Sequence, residues 1–258
     1  MSSDSSAEFY DSVWQGCADL DAKNPASFHR RRLVRKLLIE LSPRALDVLD
    51  AGCGRGELLV DLGRVLPGAR LSGADVSSES RNSAQALCPA AEIFELDLEA
   101  PDFDSAQQGR LGRYDVVICS EVLEHLESDA LALRRLHDLL RPTGLLIVTV
   151  PGGERSRFDE LIGHRRHYTR RSLRALLEGG GLKVERLWAW GFPFHNAYKS
   201  AVRLASRVAF EPGAGSHTGL GKSWLGRAYG LFGRALKPLY YLNRPYWGEQ
   251  LIAVARRR

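Results

Sequence analysis

Glu121, Glu124 and His125 stand at i, i+3 and i+4 in the run Glu121-Val122-Leu123-Glu124-His125. On a helix that spacing puts two carboxylates and an imidazole on one face. Such a mixed oxygen and nitrogen set suits Mg²⁺, Mn²⁺ or Zn²⁺, and the same groups can move protons without a metal. A second cluster, Asp50-Ala51-Gly52-Cys53-Gly54-Arg55-Gly56, joins an acid to three glycines at alternate positions. Residues without Cβ let backbone approach a ligand closely or take positive φ at low cost. Asp75 closes a third stretch, Ala69–Asp75, where a carboxylate can accept from both hydroxyls of a ribose. Farther on, Gly163-His164-Arg165-Arg166-His167-Tyr168-Thr169 adds two imidazoles. His167, beside two arginines, reads as part of a solvated polar turn.

These groups need a scaffold, and the apolar pattern supplies one. The run ending at Ala51 is a buried strand that feeds the glycine bend, and a helix follows over Glu57–Leu66. Ala69–Asp75 and Glu92–Leu96 are strands around a Ser-capped helix, Ser77–Leu87. Tyr114–Cys119 is a further buried strand, so the Glu121 motif opens a long helix predicted over Glu121–Leu140. Arg141-Pro142 and Gly144 stop that helix. Leu145–Val150 is a strand, Thr169–Glu178 a helix, and Leu182–Trp190 and Gln250–Ala255 are two more strands. Strands alternating with helices at these intervals predict an α/β fold with a doubly wound parallel sheet. A dinucleotide fingerprint would need a third glycine where Glu57 stands, and a pyrophosphate would lie against that carboxylate.

The set Val48–Gly56, Ala74-Asp75, Leu96-Asp97-Leu98, Tyr114-Asp115-Val116-Val117 and Leu140-Arg141-Pro142-Thr143-Gly144 carries a resemblance. From Leu46 to about Trp190 the chain is similar to class I S-adenosylmethionine-dependent methyltransferases, above all to the branch with the ubiquinone-biosynthesis O-methyltransferases. Thr143 departs from that pattern, which often has Gly there. The resemblance implies a Rossmann-like sheet and a donor seated by Asp50, Gly52, Cys53, Gly54 and Gly56. It places Asp75 and Val76 at the ribose, Asp97 and Leu98 at the adenine, and Ser120 and Glu121 near the donor. The E-x-x-E-H run with a downstream histidine also resembles the metal site of small-RNA 2′-O-methyltransferases. On that likeness Glu121, Glu124, His125 and His164 are metal ligands, and the acceptor is a vicinal diol or catechol. Many relatives carry the same run without a metal. Three roles therefore stay open: a divalent metal site, His125 (with Glu124) as a metal-free base, or a structural cluster.

Length and composition bound the rest. The 258 residues, 44% hydrophobic and 26% charged, predict a globular protein with a sizeable core. The net charge is +5, and it is uneven. From Phe192 onward eleven Lys/Arg face only Glu211 and Glu249, so the basic surplus belongs to the C-terminal part. The four cysteines, Cys17, Cys53, Cys88 and Cys119, lack C-x-x-C spacing. With no apolar leader after Met1 and no membrane-length apolar run, a cytoplasmic protein is expected. The expected division is a helical lid over 1–43, a donor-binding core over 44–190, a helical substrate-binding insert over 191–248, and a last strand with a basic tail over 249–258. Pro25–Leu41 is a basic amphipathic helix: either it packs on the sheet, or it and the aromatics Phe9, Tyr10 and Trp14 close over a ligand. Basic amphipathic stretches near 195–210 and 222–243 cap the sheet, form a dimer face, touch an anionic membrane peripherally or grip an anionic substrate. Nucleic acid is not the expected partner. The expected function is O-methylation of a small-molecule, sugar or lipid-linked acceptor by a monomer or homodimer. Metal-free N- or C-methylation, or donor binding without turnover, are the alternatives.

Overall fold

The computed structural model describes residues 24–100, 102–103, 105–209, 237–244 and 246–258. Phe9, Tyr10, Trp14, Cys17 and the stretch 222–236 of the second basic segment lie outside them.

The elements run α1 (Pro25–Leu41), β1 (Asp47–Ala51), α2 (Glu57–Val65), β2 (Arg70–Asp75), α3 (Ser78–Leu87), β3 (Glu92–Glu95) and α4 (Ser105–Gln108). There follow β4 (Tyr114–Ser120), α5 (Asp129–Leu139), β5 (Leu140–Pro151), α6 (Arg157–Leu161), α7 (Arg170–Gly179), β6 (Leu182–Trp190), α8 (Phe194–Ala209), a 3-10 turn (Lys237–Leu242) and β7 (Gln250–Arg257). One seven-stranded sheet has the order β3-β2-β1-β4-β5-β7-β6. The chain thus starts at β1, winds outward to β3, and crosses back to β4. The crevice of an open α/β sheet lies at that reversal, outside the carboxyl ends of β1 and β4. The sheet is α/β and Rossmann-like as expected, with one difference in direction. β7 runs antiparallel to both β5 and β6, because the chain leaves β6 through α8 and re-enters between the two from the opposite end.

Helices cover both faces because the central apolar residues of β1, β4, β5 and β7 are buried on both sides of the sheet. On one face α5 and α7 bring Leu133, Leu136, Leu173 and Leu177 against Leu49, Val117 and Val148. On the other, α1 and α2 bring Val34, Leu38, Leu58 and Leu62 against Val48, Ile118 and Ile147. So α1 is a sheet-packing helix, and its start is fixed by Asn24, whose side chain accepts from the Ala26 N–H at 2.9 Å. His29, which the apolar pattern did not mark, is also buried and lies 5.0 Å from the Trp190 ring. Burial, with Arg32 nearby, pushes its imidazole down to about 4. No helix among the described residues is long and apolar enough to cross a membrane.

The long helix expected from Glu121 does not form as such. Residues 121–128 are turns, and α5 begins at Asp129 with Ser128 as its cap, accepting from the Leu131 N–H at 3.3 Å. The carbonyls that a helix would have used are taken from outside. Glu124 O accepts from the Arg165 N–H at 2.8 Å, and His125 O from Arg165 Nε at 3.0 Å. Leu126 O and Glu127 O accept from Arg166 at 2.8 and 2.7 Å. The two arginines of the Gly163–Thr169 run therefore hold the Glu121–Glu127 turn by its backbone.

Candidate functional site

The first hollow lies at the reversal point. It is a cleft of about 700 Å³ including its open mouth, walled by Gly52, Asp75, Val76, Asp97, Leu98 and Glu121, with His125 at its rim. The glycine bend forms its floor. Gly52, Gly54 and Gly56 all have positive φ, at 78°, 51° and 86°. A Cβ on Gly52 would stand 2.2 Å from Val122 Cγ2, so the bend and the turn after β4 touch there. The N–H groups of Gly52 and Cys53 both donate to Ala74 O, at 2.7 and 2.9 Å, which ties the bend to β2.

Asp75 braces the same bend. Its Oδ2 accepts from the Gly54 N–H at 2.9 Å and its Oδ1 from the Ser77 N–H at 3.0 Å. Asp97 Oδ1 accepts from the Glu99 N–H at 2.8 Å, which turns Leu98 and Glu99 into the cleft wall. Asp50 is buried beneath the bend, and its Oδ1 has no hydrogen-bond partner among the described residues. Burial first, then the charges of Asp75 and Glu57, push its carboxyl up to about 8, against a partial pull from Arg30 and Arg31. An orphaned buried carboxyl oxygen under a cleft floor is a seat for a cationic group. Gly56 caps α2 and would press a Cβ against Ala84, so its glycine serves helix packing.

Two of the expected donor contacts are placed differently. The Cys53 side chain points into a core with Leu59, Ala84 and Ala91 and does not wall the cleft. Ser120 is also outside the wall, with its Oγ 2.8 Å from Thr149 Oγ1. Ser120 ends β4 with its side chain turned to Thr149, and Cys53 lies in the bend between two glycines of positive φ, with its side chain turned into the core.

Glu121 stands between the first hollow and a second one. It has φ of 59°, unusual for a residue with Cβ, and its N–H still bonds across the sheet to Thr149 O at 2.9 Å. Its Oε1 accepts from Thr149 Oγ1 at 3.1 Å, and its Oε2 lies 3.6 Å from Arg30. The second hollow, about 800 Å³ with its mouth, is walled by Arg30, Glu121, Asp159, His164, His195 and Lys199 among others.

Glu124, His125 and His164 do gather, with one ligand atom of each within 4.8 Å of the others. Glu121 is not in that group; the turn that replaces the helix sends it toward Arg30 instead, which removes it from the expected ligand set. Glu124 is completely buried, and neither carboxyl oxygen has a hydrogen-bond partner among the described residues. Burial, then the charge of Glu121, raises its pKa well above the usual carboxylate range. Burial pushes His125 down to about 4, partly offset by a hydrogen bond with the Gly163 backbone. Burial pushes His164 down to about 2, helped by His125, His167 and Lys199. The rings of His125 and His164 meet edge to face at 4.7 Å.

A relay behind His164, illegible in the spacing, fixes its tautomer. His167 Nδ1 is 3.3 Å from Gly153 O, and a carbonyl only accepts, so Nδ1 carries the proton. His167 Nε2 is then the acceptor for His164 Nδ1–H at 3.1 Å. His164 therefore presents Nε2 as a lone pair. Asp159 stands 3.8 Å from each ring and is itself held by the Ser156 N–H and Oγ, both at 2.7 Å. The expectation of His167 as a solvated turn residue is thus corrected: its side chain is 4% exposed. Serine at 156 with Asp159 three residues on was the one readable signal, a capping pair that starts α6.

Residues 27–187 match the model of a family described as "Methyltransferase domain". Among curated proteins, the chain is 33% identical over 141 residues to the ubiquinone biosynthesis O-methyltransferase of Azorhizobium caulinodans, covering 51% of this chain and 53% of that one. It is 33% identical over 97 residues to its counterpart in Albidiferax ferrireducens, covering 38% of each. The chain spans between 38% and 53% of the length of these two relatives. Among solved structures it is similar in fold to Haemonchus contortus phosphoethanolamine N-methyltransferase 2 in complex with S-adenosyl-L-methionine. That likeness has a TM-score of 0.57 and 16% identity, over 91% of this chain and 53% of the other.

Proposed function

We propose, from the premise that this chain belongs to the methyltransferase domain family, that it transfers the methyl group of S-adenosylmethionine to a hydroxyl oxygen of a small, sugar or lipid-linked acceptor. The donor belongs in the first hollow. The orphaned Asp50 oxygen, the left-handed glycine bend and the carboxylates of Asp75 and Asp97 match its ammonium, its close backbone approach, its ribose and its adenine in turn. The acceptor belongs in the second hollow, so that Glu121 marks the wall between donor and acceptor.

Oxygen rather than nitrogen is favoured by one observation above the rest: His164, held by His167 in the tautomer that leaves Nε2 unprotonated, lines the second hollow. A hydroxyl must lose its proton as the methyl arrives, whereas a neutral amine can attack with its lone pair. The relatives that match 38% and 51% of the chain carry O-methyltransferase names, which agrees. The methyl carbon passes from sulfur to oxygen in line, the S–C bond breaks, and neutral S-adenosylhomocysteine leaves with the proton going to the protein. Most of the acceleration then comes from proximity and exclusion of water.

Glu124, His125 and His164 also fit a divalent cation such as Mg²⁺, Mn²⁺ or Zn²⁺, because both Glu124 oxygens are buried without partners and both imidazoles are neutral. Such an ion would supply a Lewis acid that lowers the pKa of the acceptor hydroxyl. Asp159 and His167 orient His164 in either case.

The test is methyl transfer from isotope-labelled donor to three acceptor types: a catechol, a monophenol and an aryl amine. Label on the catechol oxygen, lost on Glu124→Gln and on chelation, is the expected result. Label on the amine, or catechol turnover unchanged by Glu124→Gln, would refute O-methylation at this cluster.

A further inference from the structure

Among the described residues, one cation on the wall of the second hollow has no ion-pair partner. It is Lys199 of α8, whose Nζ is buried with no hydrogen-bond partner among the described residues. The other cations on that wall, Arg30 and Arg203, are already matched. Arg30 lies 3.6 Å from Glu121, which also accepts from Thr149. Arg203 pairs with Glu249 through both of its terminal nitrogens. Asp159 accepts from Ser156 twice. Glu124, completely buried, forms no ion pair or hydrogen bond with Lys199 among the described residues. The charge of Lys199 reaches Glu124, His164, His167 and His195. Beside it, His195 Nε2 is likewise buried without a partner among the described residues. An isolated buried ammonium is strongly unfavourable unless a ligand completes it.

We propose that Lys199 seats an oxyanion of the acceptor, a carboxylate or a phosphate remote from the hydroxyl that is methylated. This rests on the reading that the second hollow takes the acceptor, and it narrows that acceptor to an anionic one. The ammonium is a point charge with three donors, so it accepts either oxyanion without the planar match that a guanidinium demands. His195 supplies a second polar contact on the same wall. The anion also screens the three imidazoles from the lysine charge.

The experiment titrates wild-type protein, Lys199→Met and Lys199→Arg with phenyl phosphate, benzoate and benzyl alcohol by calorimetry. Lys183→Met, an exposed lysine on β6, controls for surface binding of anions. Each sample is also titrated with S-adenosylhomocysteine, which reports that it is folded and that the donor cleft is intact. Wild type and Lys183→Met are expected to bind at least one of the two anions about tenfold tighter than benzyl alcohol. Lys199→Met is expected to lose that preference with unchanged S-adenosylhomocysteine affinity, and Lys199→Arg to keep it within about threefold. Phenyl phosphate and benzoate tell which oxyanion the seat prefers. No anion preference in wild type, or one that survives in Lys199→Met, overturns the inference and leaves methyl transfer standing. A folded wild type that gives no heat with S-adenosylhomocysteine overturns methyl transfer and the inference with it.

Discussion

The two hollows meet at Glu121 and are built in opposite ways. The donor-side wall comes from residues within a few positions of the carboxyl ends of β1, β2, β3 and β4. Parallel pairing sets their relative heights, with Ala51 beside Ala74 and Cys119, and Asp75 beside Glu95. Backbone register alone therefore brings Gly52, Asp75, Asp97 and Glu121 together. The acceptor-side wall draws Arg30 from α1, Asp159 from α6, Lys199 from α8 and Gln250 from β7. What joins them is side-chain pairing, such as Arg30 with Glu121 and Arg203 with Glu249. A wall written in backbone tolerates few changes. One written in side-chain pairs can be rewritten by substitution, which suits the side that selects the acceptor.

The sharpest way to break that contrast is Gly52→Ala. The new Cβ meets Val122 Cγ2 at 2.2 Å on a backbone with φ of 78°, so overpacking and left-handed strain add. A loss of about 2–4 kcal/mol in urea unfolding is expected, together with loss of measurable S-adenosylhomocysteine binding. Val122 swinging aside, with affinity kept within threefold, would show that the donor wall is more adaptable than its register implies.

Next in size is a pH effect confined to the donor side. Folded Asp50 keeps its proton up to about 8, while an unfolded aspartate releases it near ~3.9. Between those values the folded state holds the extra proton, so folding stability of the ligand-free protein falls as pH rises, by up to ~1.4 kcal/mol per unit from this group. A cationic ligand beside Asp50 favours the ionised form, so donor binding releases a proton and tightens with pH up to about 8. Calorimetry in buffers of different ionisation enthalpy reads that proton. Asp50→Asn should flatten both slopes, and a slope that persists in the variant would move the effect to another group. At His125, on the rim of the same cleft, the sign reverses. Folded His125, held down to about 4, resists a proton that the unfolded chain takes near ~6.5. That contribution is intact above ~6.5 and is lost as pH falls toward about 4.

The same contrast explains what was legible in the sequence. Strand-end acids and glycines at regular intervals announced the donor cleft, and the strands that carry them formed within a residue or two of their expected bounds. The E-x-x-E-H run is only partly gathered: Glu124 and His125 meet His164, and Glu121 does not join them. Helical spacing predicted that Glu121, Glu124 and His125 converge, yet Arg165 and Arg166, forty residues away, unwind that turn and bring Glu124 and His125 to His164 instead. A periodicity argument sees only near neighbours, and these carbonyls are claimed from a distance. His167 was misread for the same reason, because two adjacent arginines look solvated until their targets are known. β7 was visible as an apolar run, but nothing local fixes the direction in which a strand enters a sheet.

Glu124→Met probes the buried cluster beside the two hollows by setting stability against turnover. The buried carboxyl has no partners among the described residues and a raised pKa, so an apolar side chain of similar size removes a desolvated polar group. A gain of about 1–2 kcal/mol in stability is expected, by the logic of replacing buried polar groups with packed apolar ones. Turnover should fall by about a hundredfold if the cluster moves the hydroxyl proton. A variant that loses stability instead would mean that Glu124 has a partner in the working protein, and a divalent cation added to wild type would then be the first to try.

The smallest expected effect falls at the residue that joins the two sides. Thr149 is fully buried on β5 and donates to Glu121 Oε1 at 3.1 Å, while its Oγ1 also lies 2.8 Å from Ser120 Oγ. Thr149→Val keeps the shape and removes both bonds, at a net cost of about 1 kcal/mol. Glu121 would remain tied to Arg30, so it loosens without leaving. Since it walls both hollows, the dissociation constant of S-adenosylhomocysteine and the KM of the acceptor should rise together, each by about threefold to fivefold. If only the donor term moves, Glu121 belongs to the backbone-written wall and Arg30 merely neutralises it. A change in the acceptor term alone would assign Glu121 to the side-chain-written wall, with the left-handed turn at β4 serving to aim it there.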